Sequence, residues 1–104
     1  MLASATLGIL VCGDLDQALE NHLSYLLQDC SAAIENLLLA AHALGLGACW
    51  VGVHPGENSI REVKRLLSLP SSVIPVAFIA LGHPGEQLGA RTRFNADYVR
   101  FETW

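Results

Sequence analysis

One junction constrains this chain more than any other feature. An apolar run with helical spacing, QDCSAAIENLLLAAHAL, stops at a pair of glycines, GLG, and continues as ACWVG. The run predicts a helix. The short apolar segment after it, Ala48 to Val53, predicts a buried strand. A left-handed cap is expected at Gly45, and Gly47 gives the chain the freedom to turn at once into the strand. A helix that ends in glycines and feeds main chain straight into a strand is suited to close approach by another surface or by a flat ligand.

The rest of the chain alternates in the same way. Thr6 to Cys12 predicts a core strand closed by Gly13 and Asp14, and Leu15 to Leu27 predicts helix. Cys30, Ala33, Ile34, Leu37, Leu38, Ala41 and Leu44 then recur on one helical face, while Ala32, Leu39, Ala40 and Ala43 make the other faces apolar too. Such a helix is buried centrally or at a subunit interface. Ser59 predicts the cap of a helix running to Ser68, with Glu62 as its capping-box partner, Val63, Leu66 and Leu67 inward and Arg61, Lys64 and Arg65 outward. Val73 to Leu81 predicts a third strand whose Pro75 belongs at an edge or a bulge. Gly82 to Gly85 reads as a turn. Residues 86–104 read as an extended tail with Phe94, Tyr98, Phe101 and Trp104 as anchors. The order strand, helix, strand, helix, strand is α/β or α+β, in one unit spanning 1–104. Three strands cover those helices poorly, as if the chain were part of a larger fold.

Composition agrees with a covered surface. Of 104 residues 52% are apolar and only 15% charged, against about 25% charged in an ordinary domain. A chain this short buries a smaller share of its surface than a long one, so the surplus apolar area points to an obligate oligomer or an incomplete domain. Residues 1–60 contain no Lys or Arg; the cations are Arg61, Lys64 and Arg65, then Arg91, Arg93 and Arg100. With a net charge of −4 and no basic face interleaved with aromatics, nucleic acid is not an expected partner. Cys12, Cys30 and Cys49 are widely spaced in apolar surroundings, which suits reduced thiols and a cytoplasmic location. The opening MLASATLGILVCG has no basic residue ahead of its apolar stretch, so no secretory signal is expected. His42, Gly45, Gly47 and Pro55 argue against a membrane span across the uncharged stretch 36–56.

Ordinary chemical motifs are missing. GLGACW has Trp50 where a dinucleotide fingerprint needs its third glycine, and it precedes a strand where the fingerprint joins strand to helix. No phosphate-loop lysine, G-x-S-x-G elbow or H-E-x-x-H occurs, and His22, His42, His54 and His83 have no metal-like spacing. No metal is expected.

Taken in order, DCSAAIENLLLAAHALGLGACWVG, REVKRLLSLP, VIPVAFIALGHPGE, RTRF and the final FETW closely resemble the carboxy-terminal portion of the nitroreductase family of flavoproteins. The resemblance spans nearly the whole chain. The family's amino-terminal portion, with an Arg-Arg-Ser segment and a Pro-Ser-x-x-Asn segment, has no counterpart here. The resemblance implies a partial three-layer sandwich, a mixed β-sheet flanked by helices. It also implies an FMN-dependent NAD(P)H oxidoreductase, in which hydride passes to the flavin and electrons then pass to a nitroaromatic, quinone or similar acceptor. The flavin carries that chemistry, and protein groups position and tune it.

Residue by residue, the resemblance puts Trp50, Val51 and Gly52 against the isoalloxazine ring, with the Gly52 N–H near flavin N5. It puts Arg91 and Arg93 on the FMN phosphate, a role that suits the planar, paired donors of guanidinium. It implies a two-fold dimer packed through the helix 30–44, with the flavin at the dimer boundary. Two other readings accompany it: a non-catalytic dimerisation or flavin-binding module, and a same-fold flavin enzyme with other chemistry, such as dehalogenation or flavin breakdown.

Overall fold

The computed structural model describes residues 4–86 and 89–104. Strand β1 (Leu7–Asp14) leads through a loop to helix α1 (Leu23–Ala43). Strand β2 (Gly47–Gly52), helix α2 (Glu57–Leu67) and strand β3 (Val73–Gly82) follow. The sheet order is β1-β3-β2, so the last strand is central and both of its pairings are antiparallel. The α+β class is as expected; of the mixed sheet, these strands supply antiparallel pairings only.

Directly paired residues share a sheet face. Ile9 pairs with Ile79, Val11 with Ala77 and Leu7 with Leu81. Ala77, Ile79 and Leu81 form one buried cluster with Leu26, Cys30, Ile34 and Ala41 of α1, so α1 covers that face. Residue Val76 is the extra residue of a bulge, because Val11 pairs with Ala77 but Cys12 pairs with Pro75. Pro75 therefore sits at a bulge as expected. It does not sit on an edge strand, since β3 is flanked on both sides. The bulge hands Pro75 to the face away from α1, where it, Val53 and Ala80 are buried outside the α1 cluster. Helix α2 packs against β3 and is tied to its start by Lys64 Nζ, which donates to Ser71 O at 2.8 Å.

The start of α1 differs from the sequence reading. Residues 15–22 are not helical: a single 3-10 turn occupies Leu19–Asn21, and Glu20 and Asn21 have φ of 54° and 52°. Side chains that bond locally to main chain hold this loop. Asp16 N–H donates to Asp14 Oδ1 at 3.2 Å, and Asn21 Nδ2 donates to the carbonyls of Leu15 and Asp16 at 3.1 and 3.2 Å. Asp and Asn offer the backbone an alternative to helix in this way. His22 then caps α1, its Nδ1 accepting from Ser24 N–H at 3.2 Å.

The other end of α1 follows expectation closely. Gly45 has φ of 73°, Leu46 N–H donates to Ala41 O at 2.9 Å and Gly45 N–H to His42 O at 3.0 Å. These are the two bonds of a Schellman cap. Within this chain α1 buries one face only; Leu39 and Leu44 are exposed. The central burial allowed by its composition is thus absent, and an apolar outer face remains.

Further expectations are corrected. Helix α2 begins at Glu57 with Gly56 at its cap and no side-chain cap bond, so Ser59 lies inside the helix. Glu62, expected to complete a capping box, pairs instead with Arg65 at 3.0 Å. Leu66 and Leu67 are exposed, because the left-handed Ser68 ends the helix before another element covers them. The tail is irregular apart from a 3-10 turn at Ala96–Tyr98, and its aromatic anchors touch down on nothing: all four are exposed. Among the described residues no helix is long and apolar enough to cross a membrane.

Candidate functional site

Trp50, Val51 and Gly52 form the carboxyl end of β2, which pairs with β3 on one side only. Val53 N–H donates to Val76 O at 3.0 Å, continuing the register in which Gly52 stands opposite Ala77. In an antiparallel ladder successive residues address opposite sides. The odd-numbered residues of β2 thus bond β3, and the N–H groups of Ala48, Trp50 and Gly52 point to the outer edge. Gly52 is where the resemblance wants a donor.

Space agrees with direction. A Cβ built at Gly52 would meet only the His54 carbonyl, at 3.8 Å. Trp50 pairs with Ile79, so it lies on the α1 side of the sheet, yet 39% of it is exposed. Val51 pairs with Phe78 on the other face and is half-buried. Trp50 to Gly52 are therefore open to a planar group at the end of the sheet, bounded by the loop that starts at His54 and the cis-peptide Pro55. These residues fit such a group: an outward N–H, an open glycine and an exposed indole.

Arg91 and Arg93 lie apart from this strand in the chain, on an irregular segment where both are exposed. Neither makes a hydrogen bond or ion pair among the described residues, in contrast to Arg61, Arg65 and Arg100, whose guanidiniums are each bonded. Within one chain the fold does not bring the pair to the end of β2.

A cleft of about 1060 Å³ is at the opposite end of β2, lined by Leu38, His42, Gly47, Cys49, His83 and Glu86 among others. Sequence reading passed over it because its lining comes from three separate segments. No Lys or Arg lines it, and no group of described His, Cys, Asp and Glu side chains could hold a metal ion.

All three cysteines are free. Burial pushes the Cys12 thiol up, the nearby Cys30 adds to this and Lys64 opposes it. Burial likewise raises Cys30, helped by Asp29. Both are held in the neutral form, which suits packing and disfavours a thiolate nucleophile.

Comparison with known proteins identifies the family. The model of the nitroreductase family matches residues 1–83, a span that takes in the strand end at Gly52 and stops short of Arg91. A Methanothermobacter thermautotrophicus protein, provisionally named NADH dehydrogenase/NAD(P)H nitroreductase, is 45% identical over all of this chain and 53% of its own length. A crystal structure from Parabacteroides distasonis under the same provisional name superposes with a TM-score of 0.86 at 34% identity, covering 96% of this chain and 57% of that one. A nitroreductase, also provisionally named, from Desulfovibrio desulfuricans was solved in complex with FMN; it matches with a TM-score of 0.77 at 34% identity, over 96% of this chain and 56% of that one. The chain thus spans about half the length of the relatives it matches. A family match over most of the sequence, and a fold that superposes closely on solved members, place this chain in the nitroreductase family.

Proposed function

We propose that this chain is part of an FMN-dependent NAD(P)H oxidoreductase, and that residues 1–104 form one nitroreductase-like unit with an extended tail from residue 86. Family membership makes an oxidoreductase role the natural frame. The observation that carries the finer reading is the Gly52 main chain: its N–H faces the open edge of β2, beside a position with no side chain.

When bound, FMN would accept hydride from a nicotinamide and pass electrons to a nitroaromatic, quinone or similar acceptor. Gly52 N–H would donate to the ring edge near N5, where preorganised donors stabilise charge that develops on reduction. Trp50 and Val51 would shape the bed of the ring and exclude water from it. Arg91 and Arg93 would hold the phosphate; residues two apart on an extended segment face the same way, so both can converge on one anion.

The exposed apolar face of α1, including Leu39, supports a homodimer packed through residues 30–44. The free cysteines suit a reducing compartment such as the cytoplasm. Nucleic acid and membranes are not part of this reading.

The test is to purify the protein with FMN and follow NAD(P)H oxidation with a quinone or nitroaromatic acceptor. The expected result is a yellow protein that turns over, with FMN affinity falling at least tenfold in Arg91→Ala/Arg93→Ala, since charge-assisted bonds contribute about 1.5–3 kcal/mol each. A colourless protein that oxidises no nicotinamide would overturn the reading. A second reading, a non-catalytic module, draws on the chain's spanning only about half of its relatives. A stable colourless dimer, or a yellow protein that oxidises no nicotinamide, is its signature, and NAD(P)H turnover excludes it.

A further inference from the structure

We infer that Val76, the bulged residue of β3, is a positioning residue whose main-chain carbonyl fixes the Gly52 N–H in its aim at a flavin. This role rests on the flavin reading proposed above and adds to it the group that does the aiming. Along β2 the odd-numbered N–H groups bond β3 and the even-numbered ones point to the outer edge, so His54 N–H is due to point outward as Gly52 N–H does. It does not. His54 N–H donates to Val76 O at 3.0 Å, and Val53 N–H donates to the same oxygen at 3.0 Å.

One carbonyl thus takes both donors that follow Gly52, one on each of its lone pairs. Pro55 has no N–H to offer, and Gly56 N–H donates to Val53 O at 3.0 Å, which closes the turn. Gly52 N–H is left as the last outward donor of β2 and its loop. The position of Val76 in the sheet explains why it can do this. Val11 pairs with Ala77 and Cys12 with Pro75, so Val76 has no opposite residue on β1. The ladder between β2 and β3 ends at Gly52 and Ala77, one step short of it. Bulges re-aim the chain and terminate pairing in this way. The device is also stiff. Val76 is only 5% exposed, and its neighbour Pro75 is fully buried with φ fixed by its ring. Pulling an N–H away from a carbonyl in so dry a place leaves a buried group unsatisfied, which opposes any movement of the strand end. A donor held still before charge develops on the ring favours the reduced flavin over the oxidised one.

The test acts on main chain, because the bond is between main-chain groups. In the flavin-free protein, hydrogen exchange corrected for intrinsic rates should be at least tenfold slower at His54 N–H than at Gly52 N–H, although His54 lies farther into the loop. Replacing His54 by its α-hydroxy analogue then turns that N–H into an ester oxygen and leaves every side chain unchanged. FMN affinity is measured in both oxidation states for the parent and the ester protein, with circular dichroism as a check on folding. The expected result is an intact fold whose preference for reduced over oxidised FMN falls at least tenfold, about 30 mV in a two-electron midpoint potential. A merely structural role would weaken both states alike, so an unchanged ratio overturns the inference and leaves the flavin reading standing. Equal exchange at His54 and Gly52 overturns it as well, whether or not the ester protein folds. A parent that binds FMN in neither state overturns both.

Discussion

At the scale of single residues, two glycines on the outer strands of the sheet show how differently one atom can matter. A Cβ at Gly13 would lie 2.4 Å from Leu26 Cγ, inside the core contact between β1 and α1. Gly13→Ala should therefore destabilise the fold by about 1–3 kcal/mol, the usual cost of overpacking. Gly52→Ala meets no such obstacle, and its stability should stay within about 0.5 kcal/mol of the parent. If Gly52 borders the flavin, the same methyl should weaken FMN binding at least tenfold, read by quenching of flavin fluorescence. Equal FMN affinity in the parent and Gly52→Ala would remove Gly52 from the site. Denaturant melts of both variants supply the stability arm.

Elements follow from local rules where local rules are unopposed. The α1 cap was legible because only glycine sits easily at a φ of 73°, and the sequence places Gly45 where the apolar period stops. Nothing lies within 4 Å of a Cβ built there, so Gly45→Ala should cost only the backbone term, about 1–2 kcal/mol. For a domain of this length that is a fall in Tm of roughly 4–8 °C per kcal/mol, measured by thermal melt. The segment 15–22 was misread because its apolar spacing is helical while Asp14 and Asn21 turn their side chains to the main chain of Leu15 and Asp16. Periodicity registers the first signal and misses the second. Pro75 was legible only halfway. Its missing N–H predicted a disturbed ladder, and the bulge at Val76 is that disturbance, but a strand's place in a sheet depends on partners remote in sequence. The ends of α2 failed for a related reason: a capping-box pattern is local, and Arg65, one turn beyond Glu62, claimed the carboxylate.

For the molecule as a whole, composition forecast a surface wanting cover, and the fold says where it is: the outer face of α1, the sheet face near Phe78, and the aromatic tail. The end of β2 was readable as a strand end because glycine, tryptophan and the end of an apolar segment coincide within six residues, GACWVG. The pairing pattern that turns Gly52 N–H outward was not readable, since it depends on register with β3. The central claim is physical: main chain around Gly52 lies against a tricyclic flavin. Its most direct test is a proton–nitrogen correlation spectrum of the isotopically labelled protein titrated with FMN. The account predicts that the amides of Trp50 and Gly52 shift saturably, together with the side-chain Nε–H groups of Arg91 and Arg93, while Gly45 and the cleft residues near His42 stay still. Saturating shifts that skip residues 50–52, or that map to the cleft between His42 and His83, would contradict it.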